Sequence, residues 1–134
     1  MDSERLLREC LELLGERNNI VGLTLEANGC AGIEVRDGRK VFVKLDRERD
    51  RVFLYLALLP LHAVDLAVLQ RGMELNLLEA GTEGGVLSLS RHIDALVYHT
   101  SIAGSQVDAT RLQDAMEALL ANGELLTHLL VDCA

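Results

Sequence analysis

The hydrophobic period of this chain changes twice along its length. Leu6, Leu7, Cys10, Leu11 and Leu14 recur at three- and four-residue spacing. Between Leu23 and Leu59 the apolar residues alternate with polar ones, and beyond Pro60 the three- and four-residue spacing returns. Side chains repeat about every 3.6 residues around a helix and every two along a strand, so the chain must build both and keep them in separate segments. That pattern points to an α+β fold.

The spacing predicts a first helix, capped by Ser3 and running to Gly15, whose apolar stripe is widened by Leu13 and only partly balanced by Arg8, Glu9 and Glu12. Part of that face should stay exposed. Asn28-Gly29 and Asp37-Gly38 supply turn residues that tolerate positive φ, and they place strands at 30–35, 40–45 and 51–58, the last two joined by a charged tip from Asp46 to Asp50. On the second strand Val41, Val43 and Leu45 share one face and Lys40, Phe42 and Lys44 the other, which should be wet. The third carries large apolar groups on both faces, Val52, Leu54 and Leu56 against Phe53 and Tyr55, and should be central or at an interface.

A second helix is predicted over 63–78, with Gly72 inside it. A mid-helix glycine costs about 1 kcal/mol relative to alanine, so it marks either the close approach of another backbone or neutral drift. Two more strands, 86–90 and 95–103, form a hairpin, and a leucine-rich helix capped by Asp108 closes the chain with a kink or break at Asn122-Gly123. The order is α-β-β-β-α-β-β-α, a twisted antiparallel sheet flanked by helices.

At 134 residues the chain is one domain, 1–134. Its net charge of −8 makes nucleic acid and anionic membranes poor partners. Four aromatics, Phe42, Phe53, Tyr55 and Tyr98, give no base-stacking platform. The start, Met-Asp-Ser-Glu-Arg, lacks the apolar core of a secretory signal, and the longest uncharged run is shorter than the roughly 20 residues a bilayer span needs, so a cytosolic chain is expected. Cys10, Cys30 and Cys133 form no Cys-x-x-Cys and read as free thiols in a reducing compartment.

Reactive chemistry finds little footing. His62, His92, His99 and His128 are scattered, without metal-ligand spacing. Cys10 falls on an apolar helix face, Cys30 at a strand start, and Cys133 next to the last residue, none beside an evident base. The glycines from Gly81 to Gly85 lack the lysine of a phosphate loop and precede a strand, not a helix. Glu48 and Asp50 lie between arginines at a solvated hairpin tip. Neither an enzyme nor a cofactor is expected.

This succession resembles the class I type III secretion chaperones, the Tir chaperone (CesT-like) family of bacterial cytosolic proteins. The resemblance runs from Leu6–Leu14 through Cys30-Ala31-Gly32-Ile33-Glu34-Val35, Lys40-Val41-Phe42-Val43-Lys44-Leu45 and Val52-Phe53-Leu54-Tyr55-Leu56. It continues through Met73-Glu74-Leu75-Asn76-Leu77-Leu78, Gly85-Val86-Leu87-Ser88-Leu89 and Leu96-Val97-Tyr98 to Leu112 and Leu119. The stretch around Asn76, followed by a glycine-rich loop and a short strand, is its most characteristic part.

The resemblance implies a homodimer that binds the N-terminal, non-globular segment of a secreted effector, keeps it soluble and export-competent without ATP, and meets the secretion ATPase. It implies effector contacts at Leu6, Leu7, Cys10 and Leu14 on the first helix and at Ile33, Val35, Val41 and Val43 on the sheet, with strand addition at an edge. It implies a dimer interface through Leu66, Leu69, Gly72 and Met73 and the strand bearing Leu96, Tyr98 and Ile102. The alternative is a small dimeric adaptor or regulatory domain that binds folded secretion-apparatus proteins. An enzyme using His99 or Cys30 is a third, weaker reading.

Overall fold

Helix α1 (Ser3–Asn18) buries Leu7, Cys10, Leu11 and Leu14 and leaves Leu13 44% exposed, the breadth of apolar surface that its sequence implied. These positions come from a computed structural model that describes residues 3–20, 22–35 and 38–131. The helix does not stop at Gly15. It continues to Asn18, whose side-chain amide donates to the Leu14 carbonyl at 2.9 Å. Gly15 instead admits the returning chain: Ile20 N–H donates to its carbonyl at 2.8 Å, and a Cβ there would stand 2.9 Å from the Ile20 oxygen.

The period-two region forms β1 (Cys30–Glu34), β2 (Lys40–Asp46) and β3 (Arg51–Pro60). Val41, Val43 and Leu45 are buried on one face of β2 while Lys40 and Lys44 are exposed on the other. Gly29 and Gly38 adopt φ of +83° and +85°, as turn glycines should, whereas Asp37 lies outside the described residues. At the β2–β3 tip the Asp46 carboxylate accepts first from Arg49 Nε and then from the backbone of Arg49 and Glu48, and that bonding holds its pKa below the usual carboxylate value.

Helix α2 (Leu66–Asn76) is shorter than its apolar spacing suggested. A 3-10 turn, Leu61–Ala63, precedes it, and Asp65 sets its start by accepting from Val68 N–H at 2.9 Å. It ends at a second 3-10 turn, Leu77–Glu79, where Leu78 takes φ +55°. Strands β4 (Val86–Ser90) and β5 (Ala95–Ala103) follow. Helix α3 (Ala109–Val131) is capped by Asp108, which accepts from Arg111 N–H at 2.7 Å. No break occurs at Asn122-Gly123. Gly123 is buried where a Cβ would come 2.6 Å from Leu56 Cδ2, so this glycine serves close packing of helix on strand.

The antiparallel sheet has the order β1-β2-β3-β5-β4, which puts β3 at its centre as its two apolar faces required. The chain forms two compact units: Met1–Leu54 with Ser101–Glu117, and Tyr55–Thr100 with Ala118–Ala134. The first has a core that includes Leu7, Leu11, Val41, Val43, Val52, Leu54 and Leu112. The second is built around Leu56, Val68, Leu87, Tyr98, Leu119, Leu126 and Leu130.

Candidate functional site

In the first unit the register of β1 decides what its edge offers. Cys30 faces Lys44, Gly32 faces Phe42 and Glu34 faces Lys40. Leu45 N–H donates to the Gly29 carbonyl at 2.8 Å and Val35 N–H to the Arg39 carbonyl at 2.9 Å, fixing 29/45 and 35/39 as hydrogen-bonded pairs. Antiparallel pairs alternate, so Gly32 and Glu34 are non-hydrogen-bonded positions whose N–H and C=O point away from β2. β1 ends the sheet on that side. The Cys30 carbonyl accepts from Glu26 N–H at 2.8 Å, which closes the start of this edge, and among the described residues no backbone group pairs with it at Gly32 and Glu34.

Gly32 also leaves the neighbouring face uncrowded. Its missing side chain would have touched the Phe42 ring and the Lys40 stem at 3.6 to 3.8 Å, and Lys40 Nζ lies 5.9 Å from the centroid of that ring. Of the positions carried over for effector contact, Leu6 and Val35 are half-buried, while Leu7, Cys10, Leu14, Ile33, Val41 and Val43 belong to the core of the first unit.

The second unit carries most of the uncovered apolar surface. Nine large hydrophobic side chains are exposed among the described residues, and all but Leu13 lie here. Leu66 and Met73 on α2 and Leu77 just past its end form a stripe at 70%, 76% and 69% exposure, and Leu78 follows at 89%. Leu125 and Leu129 form a second stripe on α3. Arg71 Nη1 donates to the Leu130 carbonyl at 2.6 Å, holding α2 against the last turn of α3. Of the positions carried over for dimerisation, Leu66 and Met73 are exposed and Leu69 and Ile102 half-buried; Gly72, Leu96 and Tyr98 are buried by the chain itself. From the sequence Leu129 reads as part of the same apolar face as Leu126 and Leu130, and Leu125 is passed over. The signal of a second stripe was present, because Leu125 and Leu129 adjoin Leu126 and Leu130, and a helix apolar on two sides needs a second neighbour.

The remaining reactive groups are occupied structurally. Burial first, then the charges of Asp108 and Glu9, pushes the Cys10 thiol up, away from the thiolate that a nucleophile needs. His99 Nε2 lies 3.3 Å from Ser88 Oγ, and burial pushes its imidazole below the ordinary value. The glycine loop holds Thr82 and Tyr98: the Tyr98 hydroxyl donates to the Thr82 carbonyl and the Thr82 hydroxyl to the Gly85 carbonyl. Cys133 lies outside the described residues. Among the described residues no group of three or more His, Cys, Asp or Glu side chains is placed to hold a metal ion, and no helix is long and apolar enough to cross a membrane.

The profile of the Tir chaperone protein (CesT) family matches residues 9–126. The chain belongs to this family. As a CesT-family protein it is a type III effector chaperone, and the family is one of secretion chaperones, which are not enzymes. Among solved structures it is similar to a chain of the ExsC-ExsE complex, at TM-score 0.87 and 16% identity over 100% of both chains. It is also similar to a chain of the HopA1-SchA chaperone-effector complex, at TM-score 0.73 and 18% identity over 96% of this chain and 98% of that one. A third likeness is to a chain from the Yersinia pestis type III secretion chaperone SycH in complex with a stable fragment of YscM2, at TM-score 0.65 and 13% identity over 89% and 98%. No curated protein sequence matches the chain significantly.

Proposed function

We propose that this chain is a single-domain, cytoplasmic chaperone of a bacterium that works as a homodimer, without ATP or cofactor and without enzymatic activity. It binds the N-terminal non-globular segment of a secreted effector and keeps it soluble and competent for export through the secretion ATPase. The chief support is the open edge of β1. An extended client supplies unpaired backbone groups that match those of Gly32 and Glu34; side chains on one of its faces then lie over Gly32 toward Phe42, and those on its other face lie beside the half-buried Val35. Ordering such a client costs a few kcal/mol, so one short edge is not enough and the contact must extend over a larger surface. Dimerisation doubles it.

The second unit supports that pairing. Monomeric proteins rarely expose large contiguous apolar patches, and the stripe of Leu66 and Met73 on α2 with Leu77 just past its end is of the kind a second copy covers. Complexes with effectors, as named for HopA1-SchA, agree with the reading.

The test is co-expression with the effector encoded beside this chain, followed by limited proteolysis of the purified complex. A protected, extended N-terminal segment supports the chaperone reading. A protected, folded effector domain with a digested N-terminus favours an adaptor that binds folded partners.

A further inference from the structure

One side chain reproduces the hydrogen bonding of a missing strand. Asn76 Nδ2 donates to the Leu87 carbonyl and Leu87 N–H donates to Asn76 Oδ1, both at 2.8 Å. Leu87 faces Tyr98 in the β4–β5 register. Because its N–H and C=O turn toward Asn76, this is a non-hydrogen-bonded pair, and the Leu87 groups face the outer side of β4. β4 is the other end of the sheet.

The sequence of β4 makes this edge hazardous. Val86-Leu87-Ser88-Leu89-Ser90 contains neither charge nor proline, the devices that ordinarily discourage edge pairing, and Leu89 is 52% exposed. Leu87 and Leu89 have the same parity, so together they would offer an incoming strand two consecutive docking positions, as Gly32 and Glu34 do on β1. With Asn76 in place, Leu87 is taken. The end of α2 delivers the amide there, and the chain leaves at once through Leu78 at φ +55°, a conformation that disfavours a branched side chain.

We propose that Asn76 determines which edge of the sheet accepts a strand: its carboxamide closes β4, and extended partners are directed to β1. The client half of this statement rests on the chaperone reading; the closure of β4 does not, and it is tested without a client.

Asn76→Leu keeps the side-chain size and removes both bonds. In hydrogen exchange at a concentration too low for association, the Leu87 amide of this variant should exchange about tenfold faster or more. In sedimentation velocity the variant should form species larger than the wild-type assembly, growing with concentration. Adding Leu89→Lys puts a charge on the same edge without restoring either bond, and should return the wild-type distribution. Assembly unchanged in Asn76→Leu, or growth that Leu89→Lys does not reverse, overturns the proposal. If Asn76→Leu fails to fold, Asn76→Ala, which removes both bonds without adding bulk or charge, decides it by the same reading: larger species that Leu89→Lys removes support the closure, and a wild-type distribution overturns it.

Discussion

Tyr98 donates its hydroxyl to the Thr82 carbonyl at 2.7 Å, and its fully buried ring occupies space that Gly85 leaves by having no side chain. A Cβ at residue 85 would overlap that ring and stand 2.8 Å from the His99 carbonyl. The glycine-rich loop is thus the lid of a packed tyrosine. Tyr98→Phe should cost about 0.5–1.5 kcal/mol by removing one of the two donors to the Thr82 carbonyl, which keeps Gly85 N–H at 3.1 Å. Gly85→Ala should cost about 1–3 kcal/mol through overpacking. Urea midpoints that stay at the wild-type value in both variants would contradict this account.

Gly72 is different. A Cβ there would meet Leu130 and Leu87 side-chain carbons at 3.8 and 3.9 Å, which is ordinary contact, and no backbone lies close. Of the two explanations its sequence allowed, close approach of another backbone finds no support within the chain. Gly72→Ala should therefore stabilise the protein by about 0.5–1 kcal/mol through helix propensity. A lowered urea midpoint would mean that the position is more crowded than the chain itself makes it.

These two glycines show how far the sequence could be read. The alternation of β2 was legible because its two faces meet different media, and the strands of the second hairpin were placed at their observed limits. Gly15 and Gly123 misled in the same way: each looked like a helix breaker, and each is a contact point whose partner, Ile20 in one case and Leu56 in the other, is set by tertiary packing. The early part of the predicted second helix was lost to the Asp65 cap, a local signal outweighed by continuing apolar spacing. The interaction surfaces were less legible. Whether Val41 and Val43 are core or docking surface depends on what packs over them. The direction of the Gly32 backbone depends on which pairs of the ladder are bonded, and neither is written in composition or period.

His99 gives the protein a pH-dependent component. Its pKa is lowered in the fold by burial, so below the ordinary histidine value of about 6.5 the unfolded chain binds the proton more readily than the folded one. The contribution of the neutral imidazole is fully present above pH ~6.5 and is lost as pH falls through that value toward the lowered one. His99→Gln should show a shallower loss of melting temperature between about pH 7 and pH 5 than wild type. Parallel profiles would contradict the assignment.

Met73 tests the pairing surface without disturbing the core. At 76% exposure, Met73→Asp should leave the melting of the isolated chain within about 0.5 kcal/mol of wild type while abolishing the dimer, because pairing would bury an unpartnered carboxylate. Light scattering across a concentration series should report a wild-type dimer and a mutant monomer. A dimer that survives the substitution places the interface elsewhere.

The central claim is that an extended client strand joins the edge of β1. Hydrogen exchange of the chaperone, free and bound to the N-terminal segment of its effector, measures it most directly. The account predicts that the Gly32 and Glu34 amides, which face the open edge, slow markedly on binding, while the Ile33 amide, already turned toward β2, changes little. Gly32 and Glu34 amides that exchange equally fast in a saturated complex would contradict it.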